Sequence, residues 1–218
     1  MKGLTRPRAV LLDWDNTLVD TWPVIHEAMS TTLAYMGRAP WTIEDTRTRV
    51  RRSLREAFPD MFGERWKEAR DVFYLRFREI HLERLEMRPG AESLLAALAS
   101  RGIYLGVVSN KTGEHLRREA AHLGWSRYFG QLVGATDAMR DKPAAEPVHM
   151  ALAGSGVSPG QEVWFVGDTA IDMECAHNAR CIAILVRETP PTDCEFGNFP
   201  PVIHVHDCSA LTTLVMRL

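Results

Sequence analysis

Short, almost wholly apolar runs that end abruptly at polar residues constrain this chain's fold more than any other feature of its sequence. Ala9–Leu12 is the first such run and meets charge at Asp13, and the pattern recurs in Ile103–Val108, Glu162–Val166 and Cys181–Val186. Apolar runs of this length are typical of parallel strands buried on both faces. Each interval leaves room for a helix, so the sequence predicts an α/β fold with a Rossmann-like parallel sheet.

Helical patterns fill the intervals between these runs and supply the helices of the predicted α/β fold. The predicted core helices are Gly90–Ser100, Glu114–Leu123, Ala144–Ala153 and Ile171–Ala179. In open parallel sheets, ligands bind outside the carboxyl ends of the strands. We therefore expect the chemistry of this chain in the residues that directly follow each apolar run.

Residues 20–87 break this rhythm, because they contain helical patterns and no convincing strand. Trp22–Met36 and Trp66–Leu85 carry apolar residues at helical spacing, and Pro89-Gly90 marks the return to the core. The sequence thus predicts two domains: an α/β core of residues 1–19 and 88–218, and an inserted helical domain of residues 20–87.

Composition limits the classes of partner. The chain of 218 residues has 26 Lys+Arg against 28 Asp+Glu, which gives no basic surplus for nucleic acid. No apolar run approaches signal-sequence or membrane-spanning length, so we expect a cytoplasmic protein without a membrane partner. The four cysteines form no C-x-x-C pair and are expected to be reduced thiols: Cys175, Cys181, Cys194 and Cys208.

The first candidate site is the segment Asp13-Trp14-Asp15-Asn16-Thr17, directly after the first predicted strand. Two like charges 4 Å apart at an effective dielectric of 20 repel by about 4 kcal/mol, so the carboxylate pair favours a bound proton or a divalent metal. Mg²⁺ is the metal that oxygen ligands suit. The alternative is a loop of two solvated aspartates that cap the next helix.

Three later segments add polar groups at the ends of successive runs. Ser109-Asn110 follows the second run, and its hydroxyl and amide are candidates for binding a phosphoryl oxygen; alternatively, they cap a helix. Lys142 precedes a proline in a stiff turn and is either a phosphate ligand or a surface charge. Asp168 and Asp172 lie one helical turn apart and either complete a metal site or stabilise a helix N-terminus.

Together these four segments resemble, in order and placement, the four motifs of the haloacid dehalogenase superfamily, and its phosphatase branch in particular. The inserted helices resemble the cap domain of phosphoglycolate-phosphatase-like members. The resemblance implies a nucleophile at Asp13, a general acid/base at Asp15, and Mg²⁺ bound by Asp13, Asp168 and the Asp15 backbone carbonyl. It places Asp172 in or near the metal site. The implied phosphate-binding residues are Thr17, Ser109, Asn110 and Lys142.

Two details of the first motif refine the resemblance. Dehalogenases and phosphonate-cleaving members lack a carboxylate at the position of Asp15, so its presence favours phosphate esters. Asn16 stands where glycine is usual, and asparagine tolerates left-handed backbone geometry better than most residues. Ala145 stands where a second proline often follows the lysine.

Arginines concentrate in residues 47–55, where Arg51 and Arg52 lie near the position at which similar caps read the substrate. A second anionic group on the substrate is one explanation, and a solvated helix face is the other. The pair His204 and His206 has metal-like spacing but lies far in sequence from the motifs, so we assign it no role.

The expected function is an Mg²⁺-dependent phosphatase that hydrolyses a small phosphorylated metabolite through an aspartyl-phosphate. A phosphomutase of the same superfamily is an alternative, since the core motifs do not separate the two. A phospho-accepting signalling module uses the same residue types, but its acidic pair would precede the acceptor aspartate in sequence. No G-x-G-x-x-G turn indicates a nucleotide cofactor. A monomer or a homodimer fits the sequence equally.

Overall fold

A six-stranded parallel sheet forms the core of the computed structural model, which describes residues 4–50 and 52–218. Arg51 lies outside the described residues. The strand order is β5-β4-β1-β6-β7-β8, and every pairing is parallel. The strands are β1 (Ala9–Leu12), β4 (Tyr104–Thr112), β5 (Gln131–Ala135), β6 (Val163–Gly167), β7 (Ile182–Val186) and β8 (Ile203–Val205). The predicted α/β class with a parallel sheet is confirmed.

The first strand lies at the centre of the sheet. It pairs with β4 on one side, where Leu12 is opposite Val107, and with β6 on the other, where Leu12 is opposite Val166. All four residues of β1 are buried, as its unbroken apolar run predicts. The chain passes from β1 to β4 and β5 on one side and then returns to β6 on the other side, so the carboxyl end of β1 is a topological switch point, which is where open α/β sheets bind ligands.

Helices follow the strands of the core, close to their predicted bounds. They are α5 (Ala91–Ser100), α6 (Gly113–His122), α7 (Glu146–Ala151), α8 (Ala170–Asn178) and α9 (Cys208–Met216), with a 3₁₀ turn at Trp125–Tyr128. The third of these is shorter than the predicted Ala144–Ala153. Thr169, rather than Asp168, caps α8, and Thr112, rather than Ser109 or Asn110, precedes α6.

Strand β4 extends further than the sequence predicts. The apolar run ends at Val108, but the strand continues to Thr112, which pairs with Ala135 of β5 after a register shift. Ser109 and Asn110 therefore lie within the strand and not after it. Strand β5 was not predicted, because its one short segment contains Gly134 and lacks a clear apolar run.

The chain divides into two compact units, one that runs to Val19 and resumes at Met87, and a second from Asp20 to Glu86. Met87 groups with the core, whereas the sequence analysis assigned it to the insertion. The second unit contains α1 (Trp22–Tyr35), α2 (Ile43–Arg49), α3 (Leu54–Phe62) and α4 (Trp66–Ile80). The two short strands at the unit boundary, β2 (Val19–Asp20) and β3 (Glu86–Met87), pair with each other. The sequence analysis predicted neither of these two strands.

The helical unit has an apolar core of its own. Helix α1 packs against α4, and Phe73 and Phe77 of α4 stack with ring centroids 5.8 Å apart. Phe58 of α3 meets Phe73 edge to face at 5.8 Å. Aromatic side chains bury much apolar area each, so this cluster explains why the inserted helices form a compact unit.

The helices and the cysteines bear on two expectations drawn from the composition. Within residues 4–50 and 52–218, no helix combines the length and the apolar character needed to cross a membrane. All four cysteines carry free thiols, and three of them are buried. Burial raises the pKa of the Cys181 and Cys208 thiols to about 11, which keeps them unreactive at neutral pH.

Candidate active site

The loop that follows β1 turns sharply away from the sheet and presents Asp13 at its start. The Asp13 amide donates to the Val166 carbonyl of β6 at 2.8 Å, which continues the strand pairing by one residue. Asn16 has a φ of 62°, in the left-handed region that asparagine tolerates better than most residues. Its amide donates to the Val19 carbonyl at 2.6 Å. Asparagine thus closes a turn at the position where glycine is usual in the family that the sequence resembles.

Lys142 connects two of the predicted carboxylates. Its Nζ lies 2.7 Å from Asp13 Oδ1 and 2.7 Å from Asp172 Oδ1, and all three side chains are buried. Burial acts to lower the pKa of Lys142, but the charges of Asp13 and Asp172 outweigh it, so the pKa rises and the lysine stays charged. The predicted alternative of a solvated surface lysine is wrong.

Asp172 is fixed from its own helix terminus as well. Its Oδ2 accepts hydrogen bonds from the Thr169 amide at 3.0 Å and the Thr169 hydroxyl at 2.6 Å, which forms a capping box. Gly167 approaches so closely that a Cβ there would collide with the Asp172 side chain. This contact requires glycine at the end of β6. Thr17 donates to Asp168 Oδ1 at 3.4 Å, so the first motif also contacts the last.

Three carboxylates gather at this edge of the sheet. Asp13, Asp168 and Asp172 each offer an oxygen, and these oxygens lie within 4.8 Å of one another. Burial raises the pKa of the Asp13 carboxyl to about 7; Lys142 opposes the rise, whereas Asp172 and Asp15 add to it. Burial also raises the pKa of Asp168 well above its ordinary value, with Asp172 and Asp13 contributing. One lysine does not balance this negative charge.

A hard divalent cation fits these ligands. Clustered carboxylate oxygens are the donors that Mg²⁺ prefers, and the raised pKa values show that the group carries more negative charge than its surroundings stabilise. The Asp15 side chain does not belong to this group, because it pairs with Lys111 Nζ at 2.8 Å. The repulsion that the sequence analysis expected between Asp13 and Asp15 is therefore relieved by two separate lysines.

Ser109 and Asn110 hold the backbone of the neighbouring motifs. Asn110 Nδ2 donates to the Lys142 carbonyl at 3.2 Å, and the Lys142 amide donates to Asn110 Oδ1 at 3.0 Å. Ser109 Oγ accepts from the Lys111 amide at 3.1 Å and is buried. Asn110 thus fixes Lys142 in this structure, and the Lys142–Pro143 peptide bond is cis.

Two charged residues that the sequence analysis did not single out lie beside this site. Lys111 Nζ is 2.8 Å from both carboxylate oxygens of Glu119, and Trp14 Nε1 donates to Glu119 Oε2 at 2.7 Å. Both charged side chains are buried. One signal was available in the sequence, because Glu119 lies three residues after Leu116 and directly before Ala120, on the buried stripe of α6.

The candidate substrate-reading arginines belong to the helical unit. Arg52 pairs with Asp60 at 2.7 Å, and both side chains are exposed. Arg49 pairs with Asp45 at 3.3 Å and lies over the Trp41 ring. These contacts are compatible with either prediction made for the arginine-rich stretch.

Comparison with known proteins agrees with this geometry. A family model described as haloacid dehalogenase-like hydrolase matches residues 10–186. A phosphoglycolate phosphatase of Xylella fastidiosa is 31% identical over 79% of this chain and 77% of its own length. A putative pyrophosphatase, PpaX, of Clostridium perfringens is 28% identical over 97% of this chain and 98% of its own.

Solved structures share the fold. The crystal structure of a predicted phosphatase from Clostridium acetobutylicum superimposes with a TM-score of 0.86 at 20% identity, covering 98% of this chain and 100% of the other. At that identity the likeness establishes the architecture alone.

Proposed function

The chain belongs to the haloacid dehalogenase-like hydrolase family, and on that premise we propose that it is an Mg²⁺-dependent phosphatase acting on a small phosphate monoester. The observation that carries the proposal is the convergence of Asp13, Lys142, Asp168 and Asp172 at the carboxyl ends of β1 and β6. Phosphoryl transfer needs a nucleophile, charge neutralisation and a general acid in one place, and this edge of the sheet supplies residue types for all three.

Binding of the substrate is assigned to the groups around Asp13. A phosphate monoester is a dianion that the Asp13 carboxylate would repel, so a cationic group must face both. Lys142 contacts Asp13 at 2.7 Å and is the fixed charge for that task. Ser109, buried at the end of the sheet, is assigned to a phosphoryl oxygen. Asn110 and Thr17 hold Lys142 and Asp168 in position.

The reaction is assigned to the two aspartates of the first motif. An Asp13 oxygen attacks phosphorus and forms an acyl phosphate, and the bond to the leaving oxygen breaks. Asp15 donates a proton to that oxygen, so an alcohol departs. Asp15 then accepts a proton from water as the water oxygen attacks the same phosphorus, which releases phosphate and restores Asp13.

The metal would be held by Asp13, Asp168 and the Asp15 backbone carbonyl, with Asp172 adjacent. When bound, Mg²⁺ supplies positive charge that offsets the carboxylates and the phosphoryl oxygens. The free thiols are compatible with a cytosolic location, which we include in the proposal together with a monomeric or homodimeric state.

A panel of phosphate esters tests this function. The panel contains phosphoglycolate, sugar monophosphates and inorganic pyrophosphate, each assayed with Mg²⁺ and with a chelator. We expect release of phosphate from a monoester only with Mg²⁺, and acid quenching during turnover should trap a phosphorylated protein. Conversion of a sugar phosphate to its isomer with little free phosphate would indicate the phosphomutase instead. Preference for pyrophosphate, the substrate class in the PpaX name, would shift the substrate assignment.

A further inference from the structure

A second buried charge cluster adjoins the first motif, and of its members only Asp15 takes part in the reaction proposed above. It consists of Lys111 on β4, Glu119 on α6, Trp14 and Asp15, and we call it the Lys111 cluster. Lys111 Nζ lies 2.8 Å from Asp15 Oδ1 and 2.8 Å from each oxygen of Glu119. The two Glu119 oxygens accept hydrogen bonds from Lys111, and Asp15 Oδ1 is its second ion-pair partner.

Because these charges are buried, stability alone does not account for the cluster. The side chain of Lys111 is 4% exposed, that of Glu119 is fully buried, and that of Asp15 is 20% exposed. Removing paired charges from water costs about as much as their attraction returns, and apolar side chains of similar volume commonly replace such pairs without loss of stability. The cluster therefore needs another explanation, and its exposed end is Asp15.

The cluster holds the first motif at two neighbouring points. Glu119 accepts the Trp14 indole N–H at 2.7 Å, and Lys111 holds the Asp15 carboxyl. The Trp14 ring is also packed edge to face on Trp125, with centroids 5.8 Å apart. Lys111 Nζ is fixed by two hydrogen bonds to Glu119 and forms an ion pair with Asp15 Oδ1 at 2.8 Å, so the attraction of this buried charge restrains the Asp15 carboxyl.

We propose that Lys111, held by Glu119, is a positioning residue that fixes the Asp15 carboxyl for proton transfer to the leaving group without touching the substrate. This inference rests on the proposed function, in which Asp15 is the general acid. Asp13 and Lys142, by contrast, are paired directly with each other. Loss of Lys111 should therefore impair protonation of the leaving group more than binding of phosphate.

Leaving groups of different basicity separate these effects. An alkyl phosphate releases a basic alkoxide that needs the proton, whereas p-nitrophenyl phosphate releases a stabilised phenolate that does not. The ratio kcat/KM reports only the steps up to departure of the leaving group, so it is insensitive to the later attack of water. A misplaced Asp15 lowers kcat/KM for the alkyl ester selectively.

The test measures kcat/KM for both esters in the wild type, Lys111→Met, Lys111→Arg and Glu119→Gln. We expect Lys111→Met to lose about 10²-fold or more on the alkyl ester and less than about 10-fold on p-nitrophenyl phosphate. Lys111→Arg, which keeps the charge, should recover part of the selective loss. Glu119→Gln keeps an acceptor for Trp14 and carries the same test should Lys111→Met fail to fold.

Two controls make the outcome decisive. Glu27→Gln removes an ion pair with Arg76 in the helical unit and should not change the ratio between the two esters. In an Asp15→Asn background, Lys111→Met should add no further selective loss, because the group it positions is gone. An equal fall for both esters in Lys111→Met and Glu119→Gln would overturn the inference. A wild type that hydrolyses neither ester would overturn the proposed function itself.

Discussion

Lys142 and Lys111 are both buried, and each bridges two carboxylates at the same side of the sheet, yet their surroundings differ in charge. Lys142 meets Asp13 and Asp172, and Asp168 adds a third carboxylate whose pKa burial raises. Lys111 meets Asp15 and Glu119, and the Trp14 N–H donates to the latter. The Lys142 cluster of Asp13, Lys142, Asp168 and Asp172 thus has three carboxylates for one lysine, which suits a cation and a phosphoryl group. In the Lys111 cluster there are two carboxylates, and Glu119 accepts hydrogen bonds from both Lys111 and Trp14.

This difference teaches how two aspartates two residues apart acquire separate tasks. Asp13 and Asp15 follow the same strand, but each has its own lysine. Burial alone would lower the pKa of Lys111, but the charges of Asp15 and Glu119 outweigh that effect and raise it. Both lysines therefore stay charged, and the comparison can be tested by removing members of each cluster.

The largest expected effect is on Asp13, the proposed nucleophile of the Lys142 cluster. Asp13→Asn removes the anionic oxygen but keeps the volume of the side chain, so we expect kcat to fall by at least about 10³-fold with Mg²⁺ present. Steady-state release of phosphate checks this. Asp71→Asn, at an exposed position of the helical unit, is the control and should retain full activity. Undiminished hydrolysis by Asp13→Asn would remove Asp13 from the mechanism.

The second prediction contrasts the two lysines by thermal unfolding. Lys142→Met leaves two buried carboxylates without their cation, which should cost about 3–5 kcal/mol. Lys111→Met leaves the buried Glu119 and the partly buried Asp15 without theirs and should cost about 3 kcal/mol. Saturating Mg²⁺ should restore much of the loss in Lys142→Met, since a ligand at 100 times its Kd contributes about 2.7 kcal/mol.

Mg²⁺ should restore little of the loss in Lys111→Met beyond its effect on the wild type. The reason is that Glu119 lies fully buried against Trp14, away from the open group of carboxylates. Equal rescue of the two variants would show that the clusters do not differ in their capacity for a cation.

The third prediction concerns pH in the metal-free protein. Because folding raises the pKa of Asp13 from 3.8 to about 7, the folded state binds a proton that the unfolded state has already lost between these values. The stability from this group is complete below about pH 3.8 and is lost as the pH rises through 7. Asp13→Asn has no carboxyl at this position, so its stability does not fall with pH through this group.

The difference in unfolding free energy between Asp13→Asn and the wild type should therefore shift in favour of the variant between pH 5 and pH 8. We expect a change on the order of 2 kcal/mol. Denaturant unfolding in the presence of a chelator measures it, and the difference between the two proteins cancels the titration of other groups. A constant difference would contradict the raised pKa of Asp13.

The smallest effect on stability is expected for an exposed ion pair of the helical unit. Arg52→Ala breaks the ion pair with Asp60 and should change stability by less than about 0.5 kcal/mol. If Arg52 reads a second anionic group, kcat/KM should fall for phosphoglycolate but not for a neutral monoester. Arg65→Ala, at an exposed arginine of the same unit outside residues 47–55, is the control. An unchanged substrate profile would leave the arginine-rich stretch as a solvated face.

Much of this architecture could be predicted because its signals are local. The run Ala9–Leu12 is apolar throughout since both faces of β1 are covered, and its strand has the predicted bounds. Parallel strands bring their carboxyl ends to one edge, so the convergence of Asp13 and Asp168 follows from the order of the runs, whereas Lys142 comes after the unpredicted strand β5.

The Lys111 cluster could not be predicted in the same way. In sequence, Lys111 resembles the charges that surround it, and the one signal for Glu119 is its position on the apolar stripe of α6. Only the tertiary structure brings Asp15 and Trp14 against them and makes their burial tolerable. For the same reason the continuation of β4 to Thr112 escaped notice, since pairing with β5 and not apolar character sustains that part of the strand.

The central place of β1 has a consequence for biosynthesis. Ala9 leaves the ribosome early but pairs with Tyr104 and Val163, which are made much later. Closing such distant pairings is slow, and it must wait until β6 has emerged. A nascent chain that ends before β6 would carry Asp13 without Asp168 or Asp172, so the protein would acquire its chemistry only after β6 and α8 have been made.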